Sequence, residues 1–296
     1  MTQRPEPTST AIDWLDHLLD GGLAAAEALL FIAPTGTGKT TLLTRMAWNS
    51  AMAGRMAVFL SFDQAIEGDI SNRFLAMASG LPREVTEQGV PAEDMAKTNQ
   101  QLEKVAGRLY MEYMNPAWRN EVVTLVSGLI EATSNSAPPL VLLDLVEYAV
   151  PREGRSGEPM RGLPCDHVVN YVSDILVGLL RLGTRVVLSS QAGDPRRPQR
   201  QGRPLFDHTD VHVNRDLPKL FDHSVVLTPV DVKRGQNVVV YSRGILDSAN
   251  SPRVPVQLDG AHNNLIWKPE LRFDERCGSL VPNQVGDDIL MQRTQL

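Results

Sequence analysis

Two cysteines in 296 residues, Cys165 and Cys277, show no paired spacing. That excludes a disulfide framework and a thiolate metal site as the organising element. Long apolar runs are also missing: nothing approaches the ~18 continuous apolar residues of a membrane span. Positive charge is in the minority, with 29 Lys and Arg against 35 Asp and Glu and a formal net charge of −6. The chain is therefore no polycation, and any contact with nucleic acid has to be local. The start, Met1 to Leu19, carries acidic residues and no long apolar core, which argues against a secretory signal. There are no internal repeats. A soluble cytoplasmic protein with no membrane partner is expected, and its 42% hydrophobic content can bury a sizeable core.

The segment Phe31 to Thr41, with Pro34, Thr35, Gly36, Thr37, Gly38, Lys39, Thr40 and Thr41 at its centre, has the pattern of a phosphate-binding loop. An apolar run, Leu29 to Ile32, reads as the buried strand before it. Thr40 to Ala53 carries the helix formers expected after it. Gly36 and Gly38 let backbone N–H groups turn inward around phosphate oxygens. Lys39 can reach the β- and γ-phosphates and the Thr40 hydroxyl can hold Mg²⁺. The helix adds the positive end of its dipole. Ala33 stands where the pattern usually has its first glycine. ATP and Mg²⁺ are the cofactors this implies.

Along the chain, strands are predicted at Met56–Phe62, Leu109–Tyr113, Leu140–Leu143, Arg185–Ser190, Ser224–Thr228, Val238–Ser242 and Val254–Leu258. Helices are predicted at Ile12–Leu19, over 66–106 with a break at Gly80-Leu81-Pro82, and at Glu121–Thr133 and Val168–Leu182. Alternating strands and helices imply a mostly parallel sheet covered on both faces. Residues 1–10 are rich in Pro, Thr and Ser and read as disordered, and the tail beyond Trp267 has little pattern.

Leu140-Val141-Leu142-Leu143-Asp144 fits a second ATPase motif, in which a buried strand delivers a carboxylate to the hydration shell of Mg²⁺. Hydrolysis also needs a group that polarises water for in-line attack. Leu145, the residue after Asp144, cannot do this. Asp63, at the end of the Met56 strand, is the candidate, with Glu147 as the alternative; a helix cap is the structural use of Asp63. Its short side chain predicts slow turnover. Gln191, ending Ser189-Ser190-Gln191, can hydrogen-bond a γ-phosphate and swing when it leaves.

In order and spacing these residues resemble the RecA-like ATPases, and within them the DnaB-type helicases and KaiC-type ATPases. Asp13 to Leu23 is similar to the family's entry segment. Ser61-Phe62-Asp63-Gln64 resembles the segment of the catalytic base, normally Glu. Leu188-Ser189-Ser190-Gln191 and the run from His208 to Leu227 look more like the helicase branch. Tyr241-Ser242-Arg243-Gly244 resembles the region that reaches a neighbour's nucleotide, with Arg243 as finger and Ser242 in the place of a lysine. Arg234 is a second candidate for that finger. The resemblance implies an α/β RecA-like P-loop NTPase core, a mostly parallel sheet with helices on both faces and late antiparallel strands. It also implies a homo-oligomeric ring or filament with ATP at subunit interfaces. The expected divisions are a disordered segment over 1–11, the ATPase domain over 12–267 and a tail over 268–296.

Basic charge gathers after the Asp144 and Gln191 strands, as Arg152, Arg155 and Arg161, then Arg196, Arg197, Arg200 and Arg203. In an acidic protein this is a local electrostatic footprint. In RecA-like rings the loops at these positions face the channel and hold single-strand phosphates. With few aromatics there, backbone tracking outweighs base stacking. Solvated loops, or contact with an acidic protein surface, are the other readings. His208 and His212 with Asp207 and Asp210 lack a third convincing ligand and read as surface residues. The leading expectation is an ATPase that moves or remodels single-stranded nucleic acid. A KaiC-like switch of protein partners and a weakly hydrolysing nucleotide scaffold are the alternatives.

Overall fold

The computed structural model describes residues 6–114, 121–133, 137–149, 165–193, 205–206, 210–211, 216–231, 233–243, 252–259, 261–262, 264–274 and 279–283. The seven arginines after the Asp144 and Gln191 strands, together with Asp207, His208 and His212, lie outside them.

Apolar runs become buried strands because one peptide ladder satisfies every backbone group while side chains alternate between the faces. β1 (Ala28–Ala33), β2 (Ala57–Ser61) and β4 (Leu140–Asp144) are buried at every position. With β3 (Leu109–Tyr113), β5 (Arg185–Gln191) and β6 (His223–Asp231) they form a parallel block. The sheet continues antiparallel through β7 (Gln236–Arg243), β8 (Arg253–Asp259) and β9 (Asn264–Trp267). Its spatial order is β3-β2-β4-β5-β1-β6-β7-β8-β9.

Alternate residues of these strands feed two cores. Leu29, Phe31, Phe59 and Leu142 pack on one face with Leu42 and Met46 of α2 (Lys39–Met52), Phe74 of α3 (Ser71–Ser79), Trp14 and Leu15 of α1 (Asp13–Leu18) and Val105 of a long surface helix (Ala92–Val105). Leu30, Ile32, Leu60 and Val141 pack on the other with Val126 of the helix Val122–Thr133 and Val172 and Leu176 of the helix Cys165–Arg181. In chain order, the short helix Arg83–Thr86 is α4, Ala92–Val105 is α5, Val122–Thr133 is α6 and Cys165–Arg181 is α7.

Three parts differ from the sequence reading. Residues 6–10, expected to be disordered, are pinned: Thr8 bridges Leu23, and the Asp16 carboxylate accepts bonds from Ser9 Oγ (2.6 Å) and the N–H groups of Thr10 (2.7 Å) and Ala11 (3.1 Å). Gly22 makes this possible, because a Cβ there would sit 2.0 Å from the Thr8 carbonyl oxygen. β9 is an additional strand, too short and mixed for alternation to mark. Past Trp267, β10 (Leu271–Asp274) and β11 (Ser279–Pro282) pair as a hairpin. Their half-buried residues carry no strong apolar signal.

Candidate functional site

The parallel block ends its strands on one side, and the loops there converge. The chain leaves β1 at Ala33, turns through Gly36 (φ 79°) and Gly38 (φ 106°), both left-handed, and enters α2 at Lys39. Gly38 is also crowded: a Cβ would meet Leu258 Cδ1 of β8 at 3.0 Å. Thr37 Oγ1 donates to the Pro34 carbonyl (2.6 Å) and ties the loop to itself. The Lys39 ammonium donates to the carbonyls of Ala33 (2.7 Å) and Pro34 (2.9 Å). Burial pushes its pKa below the ordinary lysine value, opposed by the nearby acids Glu147, Asp144 and Asp63.

β4 lies two strands from β1, with β5 between them. Its last residue, Asp144, is buried yet fully engaged. Oδ2 accepts from the Thr40 hydroxyl (2.7 Å) and Oδ1 from the Ser189 hydroxyl (2.5 Å). The peptide between Asp144 and Leu145 is cis. The Thr40–Asp144 pair is an oxygen-only donor set beside a phosphate loop, which suits Mg²⁺ rather than a softer ion. These two residues would hold it.

Asp63 follows β2 and is exposed on the wall of the same cleft, with Gln64 beside it. Glu147 sits instead in the 3₁₀ turn Val146–Tyr148 after β4. Its Oε1 accepts from Ser190 Oγ (2.5 Å) and the Gln191 N–H (2.6 Å). Gln191 reaches the loop from β5, its Nε2 donating to Thr35 Oγ1 (3.2 Å). One cleft of about 390 Å³ is thus lined by Thr35, Gly36, Gly38, Lys39, Thr40, Thr41, Asp63, Asp144 and Gln191.

Sequence reasoning missed four further wall residues: Arg73 on α3, Arg83 on α4, Leu145 and Leu258. Arg73 donates to Thr41 Oγ1 (2.9 Å) and to Asp69 (2.9 Å), and Asp69 also pairs with Arg83 (2.9 Å). No spacing links these positions; the folding of α3, α4 and β8 over the loop brings them in.

Arg243 is elsewhere. It ends β7 opposite His223, which itself pairs with Leu29 near the start of β1. The loop leaves from the other end of β1, about 13 Å away at ~3.3 Å per residue. Arg243 is exposed there, and its cross-strand partner His223 is buried, with Nδ1 meeting the Tyr241 hydroxyl (2.9 Å). Arg234 occupies the opposite end of the hairpin, in the turn between β6 and β7, with Asp231 3.6 Å from its Nε.

The strand order and the glycine loop after β1 give the chain a RecA-like P-loop fold. Residues 8–134 match the family model "ATPase: KaiC". Two relatives called "DNA repair protein RadA", from Mycobacterium tuberculosis strains CDC 1551 / Oshkosh and ATCC 25618 / H37Rv, are each 35% identical over 103 residues. That aligned stretch is 34% of this chain and 21% of the relative, so the chain spans about a fifth of the length of these curated relatives. Among solved structures, an isolated ATPase domain superposes with a TM-score of 0.67 at 14% identity, covering 90% of this chain and 92% of that one. A DnaB-like replicative helicase, described with its interactions with primase, gives 0.69 at 13% identity over 89% and 62%. Among the described residues no helix is long and apolar enough to cross a membrane.

Proposed function

We propose that the protein binds Mg·ATP in the loop cleft, hydrolyses it slowly, and couples hydrolysis to single-stranded nucleic acid as a homo-oligomer. The observation that carries the ATPase reading is the convergence of Lys39, the Thr40–Asp144 pair, Asp63 and Gln191 on one cleft at the strand ends. Bound Mg²⁺ would neutralise phosphate charge. Backbone N–H groups of 35–40 and the Lys39 ammonium bind and orient the phosphates. Asp63 accepts the proton of the attacking water, and Gln191 donates its amide to the γ-phosphate. Asp63 is exposed on the cleft wall, whereas Glu147 is turned against β5; that favours Asp63 as the base.

Arg243 supports a between-subunit site. Within one chain it lies beyond reach of the loop, and its proposed role is on a neighbour's nucleotide, in a ring or filament. The nucleic-acid part rests on the arginine-rich segments that follow the Glu147 turn and Gln191 in the sequence. A second reading, a nucleotide-dependent switch of protein partners, is favoured by the match of residues 8–134 to the KaiC model.

The test is Mg²⁺-dependent ATP hydrolysis by wild type, Lys39→Ala and Asp63→Asn, with ATP affinity measured in parallel. Lys39→Ala should lose binding. Asp63→Asn should bind ATP within a few-fold of wild type but turn over about 10²–10⁴-fold more slowly. Equal turnover in wild type and Asp63→Asn removes Asp63 from the role of base.

A further inference from the structure

Glu147 has a geometry that neither a water-activating base nor a surface carboxylate would need. It lies three residues past Asp144, in the turn that ends β4, and one of its oxygens takes both bonds offered by the end of β5. Three consecutive β5 residues are thereby tied to the β4 segment: Ser189 to Asp144, then Ser190 and the Gln191 N–H to Glu147. The Gln191 amide, held by this main-chain anchor, points at Thr35 in the phosphate loop. A second tether, Ala192 N–H to the Ala33 carbonyl (3.0 Å), binds the same strand end to the end of β1. The other Glu147 oxygen, Oε2, is buried with no hydrogen-bond partner among the described residues.

A buried carboxyl with an unmatched oxygen is costly, and an apolar side chain would avoid that cost. Ser190 and Gln191 N–H need only an acceptor. What Glu147 adds is an acceptor oxygen that takes both bonds and anchors the hinge of Gln191. We infer that Glu147 is the positioning residue for Gln191, fixing the end of β5 so that its amide faces the γ-phosphate. This rests on the reading of the cleft as an ATP site and assigns Glu147 a part in its discrimination of ATP from ADP. Burial raises the Glu147 pKa against the opposing bonds from Ser190 and Gln191 and the charge of Lys39, in keeping with a group held inside the site.

The role acts through Gln191, so a double-mutant cycle isolates it. Equilibrium binding of ATP and of ADP is measured for wild type, Glu147→Ala, Glu147→Gln, Gln191→Ala and Glu147→Ala/Gln191→Ala, with turnover and thermal melting alongside. Glu147→Ala should lower the ATP-over-ADP preference, and should lower kcat by about 10–100-fold with KM changed far less, as expected for a misplaced group. Glu147→Gln, which keeps the acceptor, should recover most of both. In the Gln191→Ala background the Glu147 change should add nothing to either readout. Additive losses, or a loss seen only as a lower melting temperature with ATP preference intact, would overturn the assignment. Because the cycle is read in binding, it decides even if wild type turns over too slowly to measure. Failure of wild type to bind ATP would instead strike the ATP-site reading, and the assignment with it.

Discussion

Asp63 and Glu147 are two carboxylates near one lysine, and their surroundings differ. Asp63 is exposed on the cleft wall, while Glu147 is turned inward against β5. The difference has a pH consequence. Burial raises the pKa of Glu147 in the folded protein above its unfolded value. Such a group contributes stability at pH below the ordinary glutamate value, and that contribution is lost as pH rises through the raised value. Glu147→Gln removes the titration. Its melting temperature relative to wild type should therefore climb from acid toward neutral pH, with Lys39 the charged neighbour that limits the climb. A difference that is flat with pH would show that Glu147 titrates as an exposed glutamate. Asp63 was legible in the sequence because a strand end before a polar turn is a motif. The contacts of Glu147 were not, since they depend on β5 lying beside β4, which no local pattern reports.

At the scale of elements, the loop is held from two directions. Underneath, Thr40 and Ser189 grip the two oxygens of Asp144, joining α2, β4 and β5 at one carboxylate. Above, β8 and β9 fold over Gly38, with Leu258 and Leu265 against it. Their connecting turn is tied down by Arg45 Nη2 to the His262 carbonyl (2.5 Å) and by Arg83 N–H to the Ala261 carbonyl (2.9 Å). Gly38→Ala should cost about 1–2 kcal/mol from the left-handed backbone alone, with a further loss from Leu258. The urea midpoint reads this directly, and an unchanged midpoint would contradict both the left-handed backbone at Gly38 and the Leu258 contact. The order of buried strands and the α2 helix could be read from apolar runs and the glycine loop. β9, the β10–β11 hairpin and the pinned N-terminal segment could not, because short, half-buried or polar stretches are ordered by tertiary contacts rather than by their own pattern.

For the whole molecule, the proposed assembly draws on Arg243 at the far end of β7 and on the arginine-rich segments in the sequence. If the second segment tracks phosphates, neutralising Arg196, Arg197, Arg200 and Arg203 together should reduce the salt slope of single-strand binding by up to ~3, at about 0.7 per phosphate contact. Lost affinity with an unchanged slope would place the contact elsewhere. With an overall charge of −6, any such slope would be a local property of these arginines.

The most direct test of the central claim is steady-state ATP hydrolysis with and without single-stranded DNA, at low and high salt, beside Lys39→Ala. The account predicts slow basal turnover that is abolished by Lys39→Ala, stimulated by the single strand, and progressively less stimulated as salt rises. A rate indifferent to DNA at every salt concentration would contradict the nucleic-acid reading in favour of a nucleotide switch. Turnover that survives in Lys39→Ala would contradict the site itself.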